Sequence, residues 1–331
     1  MLMRLLHLLD SETAHATTLA ALKCGLGPRI REPKDLSLTL FGKRLRNPIG
    51  LSGGADKQAE ALAGWSRMGF GLVEAGTVTV NPRSGNSRPR CWRFKDNNSM
   101  VNWMGLPGDG IIPFVANLEA FQHEPERKDL TVGASIASPD GKLEEFAQLA
   151  KACSPFVDYL TLNASCPNVA HANAQGAPEK TAADQVKACK DAANGKPILL
   201  KLGPTRDQAV LNRMVEAALA AGVDGFVACN TLTNADRGLA DGLALDWPMR
   251  DGSPVGGYSG PHLLPIACWM VQEIRALVGK DRPIIGVGGV QSGADALRLL
   301  DAGANAIQLY TGLIYKGPAL VQDIMKALAA R

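Results

Sequence analysis

Lys201 stands inside an otherwise apolar run, Ile198-Leu199-Leu200-Lys201-Leu202. Burying an ammonium is costly unless an anionic partner meets it. The residue reads as a cation facing a cofactor ring that gains negative charge, as a Schiff-base lysine of the aldolase kind, or as a lysine snorkelling to solvent from a strand end. Cys166 falls in the polar stretch Asn163-Ala164-Ser165-Cys166-Pro167-Asn168. A reachable thiolate can remove a proton, with Ser165 as the neighbouring alternative, whereas an unreachable cysteine is a small buried hydrophobe. Four asparagines, Asn102, Asn163, Asn168 and Asn230, come from separate chain positions. An amide both donates and accepts, so their convergence would suit a planar ligand bearing amides and a carboxylate, such as a pyrimidine ring; any one alone reads more readily as a loop cap. His7, His15, His123, His171 and His262 lack metal-ligand spacing, and no metal site is expected.

These residues need a scaffold that brings them to one face. From about residue 47 one unit repeats: a short β-rich apolar run, a polar turn and an amphipathic helical stretch. Runs at 48–52, 71–76, 130–136, 157–164, 197–202, 225–230, 283–288 and 306–310 predict eight strands, the number that closes a parallel α/β barrel of the (β/α)8 TIM type. Helices are predicted over 57–68, 207–221, 292–302 and Pro318–Ala330, with Gly222 and Gly303 closing two of them. Two connections, 77–129 and 235–260, are too long for plain βα loops, and long loops on a rigid scaffold usually carry function.

In such a barrel chemistry sits at the C-terminal ends of the strands. The polar strand ends here are Ser52-Gly53-Gly54-Ala55-Asp56-Lys57, the Asn163–Asn168 stretch, Asn230-Thr231, Gly288-Gly289 and Tyr310-Thr311-Gly312. The last two small, polar turns predict a phosphate held by backbone N–H groups, with close packing by Gly288-Gly289 as the alternative. No G-x-G-x-x-G opens a helix after a strand, so FMN fits better than NAD.

The net charge of +3 is small and dispersed, which excludes a nucleic-acid footprint. Seven scattered cysteines without C-x-x-C spacing argue against a disulfide framework and for a reducing, cytoplasmic setting. No run approaches the roughly 20 apolar residues of a spanning helix. The N-terminal stretch, apolar at helical spacing and richer in Lys and Arg than in acids, reads as small helices packed on the barrel or as an interfacial element peripheral to the inner face of the cell membrane. The expected organisation is an N-terminal helical extension over 1–40 and an FMN-binding barrel over 41–331.

With these features in place, the chain resembles the dihydroorotate dehydrogenase family over nearly its whole length. The likeness is carried by Asn47-Pro48-Ile49-Gly50-Leu51, Gly76-Thr77-Val78-Thr79, Gly85-Asn86-Ser87-Arg88-Pro89-Arg90, Asn163 to Asn168, Ile285-Gly286-Val287-Gly288-Gly289-Val290 and Gln308-Leu309-Tyr310-Thr311-Gly312. The segment Leu8-Leu9-Asp10-Ser11-Glu12-Thr13-Ala14-His15 looks like the extension of the quinone-dependent, membrane-associated class 2 enzymes. The resemblance implies FMN-dependent oxidation of dihydroorotate to orotate in pyrimidine biosynthesis, with quinone as acceptor.

By the same resemblance Lys57, Asn102, Asn163, Asn168, Asn230 and Thr231 hold orotate. Thr77, Ser135, Asn163, Lys201, Ser259, Gly260, Gly288, Gly289, Tyr310 and Thr311 surround the flavin, and His15, Arg93 and Tyr310 lie along the quinone pocket. Cys166 takes the place of the catalytic base, which in class 2 is usually serine. Cys166 and Met104-Gly105-Leu106-Pro107 resemble class 1, Ser135 stands where class 2 has asparagine, and Val169-Ala170-His171 replaces the usual Thr-Pro-Gly. A related flavin barrel acting on another dihydropyrimidine, or using fumarate, is the alternative these departures raise.

Overall fold

The computed structural model describes residues 6–163 and 178–331. Eight strands close a barrel: β1 Ile49–Leu51, β2 Leu72–Val78, β3 Thr131–Ile136, β4 Tyr159–Leu162, β5 Ile198–Leu202, β6 Gly225–Ala228, β7 Ile284–Val287 and β8 Ala306–Leu309. Every neighbouring pair is parallel and sequential, and β8 returns to β1 in the register Ile307↔Ile49. The strands read as nearly continuous apolar runs because both faces are covered, one by helices and one by the barrel's own interior.

The covering helices are α1 Leu62–Arg67, α2 Ile111–Phe121, α3 Leu143–Cys153, α4 Pro178–Ala192, α5 Gln208–Ala220, α6 Leu264–Val278, α7 Gly293–Asp301, α8 Thr311–Lys316 and α9 Pro318–Ala330. Their starts follow local chemistry. The Asp207 carboxylate accepts from Val210 N and the Ser292 hydroxyl from Asp295 N, satisfying N–H groups that a helix leaves unpaired at its first turn. The expectation of a helix from 57 needs correction, since α1 begins at Leu62. The Asp56 carboxylate instead accepts from Glu60 N and Ala61 N, and Ala59 is left-handed with φ 56, so the chain turns before it can coil.

One end of the barrel is sealed. A hairpin of Leu38–Leu40 with Lys43–Leu45, straddling the division at residue 40, inserts Leu40 and Leu45 against Leu72, Leu199, Val227, Ile285 and Ala306. Phe41 stacks on Tyr159 with centroids 4.6 Å apart. The Tyr159 ring fits because β3 offers Gly133, where a Cβ would lie 2.2 Å from Tyr159 Cζ. The next layer is polar: Thr161 Oγ1 and Gln308 Nε2 both donate to Glu74 Oε2, at 2.8 and 3.0 Å.

The opposite end is roofed. Leu232–Thr233 and segments of the two long connections pair into an antiparallel sheet in the order Leu232–Thr233, Gly257–Ser259, Ser99–Asn102, Cys91–Phe94. Beside it lies the N-terminal helix Ser11–Lys23, capped by the Asp10 carboxylate, which accepts from Glu12 N and Thr13 N. Its buried Leu22 packs where Gly64 leaves room, since a Cβ there would meet the Leu22 Cβ at 2.8 Å. Before this helix Leu8 is 80% exposed. No helix among the described residues is long and apolar enough to cross a membrane.

Candidate active site

Between the polar layer and the roof lies a pocket at the C-terminal ends of the strands. The strand ends deliver its walls: Ser52 to Gly54 and Lys57 after β1, Thr77 on β2, Asn163 after β4, Lys201 on β5, Asn230 and Thr231 after β6, Gly288 and Gly289 after β7, and Tyr310 and Thr311 after β8. The roof contributes Asn102, Ser259 and Gly260.

A chain of hydrogen bonds crosses four strand ends. Thr77 Oγ1 and Ser135 Oγ lie 2.9 Å apart, Asn163 Nδ2 donates to Thr77 Oγ1 at 3.0 Å, and Asn230 Nδ2 donates to Asn163 Oδ1 at 3.2 Å. Asn230 Oδ1 in turn accepts from Thr231 N at 2.8 Å. Each amide is thereby turned one way, which fixes the donors and acceptors presented to a ligand. On the other flank Ser259 Oγ and Thr311 Oγ1 are 2.7 Å apart and tie the roof to the start of α8. Ser135 is buried behind Thr77 and does not line the pocket, so it supports the wall rather than forming it.

Lys57 is half-buried at the pocket wall, and desolvation depresses its ammonium below the usual lysine value; the nearby Cys91 and Glu12 oppose that, and Arg90 adds to it. A desolvated cation at a pocket wall is arranged to meet an anion. Lys201, only 8% exposed, supplies a second cationic group across the barrel. Asp56, fully buried, has its carboxyl pushed up to about 6 by desolvation against the two backbone N–H groups it accepts.

The glycine turns leave no room for side chains. A Cβ on Gly289, which has φ +75, would stand 2.5 Å from Leu264 N, and one on Gly312 would stand 2.2 Å from Val290 O. In each case the added Cβ would meet the protein's own backbone, so the glycines keep both turns tightly packed at the pocket edge, where backbone N–H groups can hold a phosphate. Two cations, oriented amides and a backbone cradle fit an anionic, ring-bearing cofactor with a phosphate, which is what a flavin nucleotide presents.

Of the residues predicted for the acceptor, Tyr310 lines this pocket, and burial raises its phenol. His15 sits on the N-terminal helix with Nε2 2.7 Å from Ala55 O; burial and then the Lys57 charge push its pKa down to about 4, against that carbonyl. Arg93 lies instead in a separate cleft with Asp10, Ser11, Trp92 and Trp247, and donates to Leu9 O. Cys91 belongs to that cleft too, and it pairs across the roof with Asn102 of the pocket, which puts the cleft next to the pocket. Cys166 and Asn168 lie outside the described residues.

Sequence reasoning missed Glu74 and Gln308 beneath the pocket. Glu74 carries the same signal that singled out Lys201, a charge inside an apolar strand, and a consistent reading of β2 would have found it. Cys229, also in the wall, has a thiol pushed up to about 12 by burial, which leaves it a neutral packing group.

Residues 35–331 match the family model for dihydroorotate dehydrogenase. The chain is 36% identical to the dihydroorotate dehydrogenase (quinone) of Parvibaculum lavamentivorans, over 99% of this chain and 92% of that protein. It is 36% identical to the enzyme of the same name from Paraburkholderia phymatum, covering 98% of this chain and 95% of that one. Among solved structures, ligand-free DHODH from Eimeria tenella superposes with a TM-score of 0.87 at 25% identity, over 96% of this chain and 94% of that chain. The same enzyme in complex with ferulenol gives 0.83 at 25% identity, over 96% and 90%. A barrel with this strand order, this pocket and these relatives belongs to the dihydroorotate dehydrogenase family.

Proposed function

We propose that the chain oxidises dihydroorotate to orotate with FMN as its flavin and delivers the electrons to a quinone. The observation that carries this is the Thr77–Asn163–Asn230 hydrogen-bonded row facing one pocket with Lys57 and Lys201. The relatives named dihydroorotate dehydrogenase (quinone) support the same substrate and acceptor.

Lys57 is the group to hold the substrate carboxylate, and Asn102, Asn163, Asn168, Asn230 and Thr231 fix the ring through its amides. Bound flavin supplies the two-electron hydride acceptor. Thr77, Lys201, Ser259, Gly260, Gly288, Gly289, Tyr310 and Thr311 are the residues to hold it, with Ser135 bracing Thr77. Cys166 is assigned as the base: its Sγ takes the C5 proton of dihydroorotate as hydride leaves C6, and the C5–C6 double bond of orotate forms. His15, Arg93 and Tyr310 are assigned to the quinone side, next to an N-terminal segment whose exposed Leu8 and Leu9 suit peripheral contact with a membrane.

An anaerobic titration of the purified yellow protein with dihydroorotate tests this. Loss of the oxidised-flavin absorbance, restored by added quinone, is the expected result. A flavin that stays oxidised overturns the substrate assignment, and recovery with fumarate but not quinone overturns the acceptor.

A further inference from the structure

Glu12 belongs to the N-terminal helix, the element assigned to the acceptor side, yet its carboxylate is bonded into the substrate-side wall. Arg90, whose side chain is 7% exposed, donates to Glu12 Oε1 through Nη2 at 2.8 Å and through Nε at 3.1 Å. Arg88 Nε approaches Glu12 Oε2 at 3.1 Å. Burial pushes the Glu12 carboxyl up, but hydrogen-bonded Arg90 and nearby Arg88 together hold it below the usual range.

From Arg90 the connections run inward. Its Nη1 donates to Ser84 O at 2.6 Å and to Asn86 O at 3.0 Å, folding residues 84–90 around the guanidinium. Arg90 O accepts from Trp103 N at 2.7 Å, Asn86 N donates to Met104 O at 3.0 Å, and Asn86 Nδ2 donates to Trp103 O at 3.0 Å. A further bridge joins Arg83 and Gly108 through both backbone pairs, at 2.8 and 2.9 Å. The segment so held is 102–107, in which Asn102, Met104, Gly105, Leu106 and Pro107 all line the pocket. A buried guanidinium needs its anion, because removing one partner of a buried pair leaves an uncompensated charge that the surrounding loop must rearrange to solvate.

We infer that Glu12 is a positioning residue for the dihydroorotate half-reaction: acting through Arg90, the N-terminal helix sets the wall that closes on the substrate. This rests on the proposed function for the identity of the substrate, not for the coupling itself. The acceptor-side helix thus governs substrate affinity without touching substrate.

Two measurements on the full chain test it, using Glu12→Gln, Glu12→Asp and Arg90→Lys. Lys23→Gln is the control, since it loosens the same helix at the exposed Lys23–Glu60 pair, 2.9 Å apart. Hydrogen exchange followed by mass spectrometry should show peptides within 83–108 exchanging faster in Glu12→Gln and Arg90→Lys, little changed in Glu12→Asp, and unchanged in Lys23→Gln. Rapid-mixing flavin reduction by dihydroorotate, with no acceptor present, should show half-saturation raised roughly tenfold in Glu12→Gln and its limiting rate within about twofold of the parent. Glu12→Asp should recover most of the affinity. Unchanged exchange in 83–108, or a defect confined to reoxidation by quinone, overturns the inference. Exchange is read without substrate, so a parent protein that dihydroorotate cannot reduce would overturn the proposed function while the exchange comparison still decides the coupling.

Discussion

Gln308 reaches across the barrel interior and donates through Nε2 to Glu74 Oε2 at 3.0 Å, onto the same oxygen that Thr161 Oγ1 meets at 2.8 Å. Glu74, Thr161 and Gln308 come from β2, β4 and β8, and none is more than 1% exposed. They form the floor of the pocket above an apolar layer that seals the barrel. Replacing Gln308 by Leu leaves a buried carboxyl short of a donor, and a buried polar group left without its partner costs roughly 1–3 kcal/mol. Urea unfolding of the flavin-free protein should therefore show Gln308→Leu destabilised by about 2 kcal/mol and Thr161→Val by a similar amount. A neutral Gln308→Leu would mean the floor tolerates apolar filling, as some buried polar groups do.

The proposed base, Cys166, calls for a rate that depends on thiolate. Cys166→Ala should slow dihydroorotate-dependent flavin reduction by roughly 10²–10⁴-fold while orotate binding survives. With an ordinary thiol near pH ~8.5 the parent rate should climb above neutral pH. A flat profile from mildly acid to alkaline solution, or near-normal reduction by Cys166→Ala, would transfer the role to another residue.

Gly289→Ala probes the backbone cradle. The added Cβ would fall 2.5 Å from Leu264 N and 3.0 Å from Gly260 O, at a residue with φ +75. The β7–α7 turn must then shift away from the position that approaches the cofactor. The expected outcome is protein purified with much less flavin, with added FMN binding at least tenfold more weakly by fluorescence titration. Retained flavin would place the phosphate elsewhere.

His15 and Asp56 titrate in opposite senses across the same range. His15 falls from 6.5 unfolded to about 4 folded, so the unfolded chain binds the extra proton between those values and the stability His15 contributes is lost as pH falls from 6.5 to 4. Asp56 rises from 3.8 to about 6, so its contribution is present below 3.8 and is lost as pH rises through 6. Between pH 4 and 6 the two offset. Relative to the parent, Asp56→Asn should gain stability more steeply as pH rises from 4 to 6.5, and His15→Gln should lose it. Denaturant midpoints at several pH values check the signs, and parallel curves for all three proteins would contradict both assignments.

What the sequence carries openly is whatever neighbouring residues decide. The eight strands appear as apolar runs because a parallel strand in a closed barrel is covered on both faces, and Asp207, Ser292, Gly222 and Gly303 mark helix ends because capping is local. The polar strand ends followed from the fold class. The start of α1 was misread because the Asp56 side chain reaches two backbone N–H groups that no periodicity reports.

The pocket's working geometry was decided only in three dimensions. Asn163 and Asn230 are 67 residues apart and meet because β4 and β6 end at one face of the barrel. The two long connections pair into a roof across more than a hundred residues, with Tyr258 opposite Val101, a register that neither segment specifies alone. Glu12 finds Arg90 from a distance of 78 residues. By itself, then, the sequence determined the barrel, its polar rim and the residue types available for chemistry. Tertiary structure decided which of them face each other, because hydrogen bonds and ion pairs between remote elements depend on closure of the sheet, which no local pattern encodes.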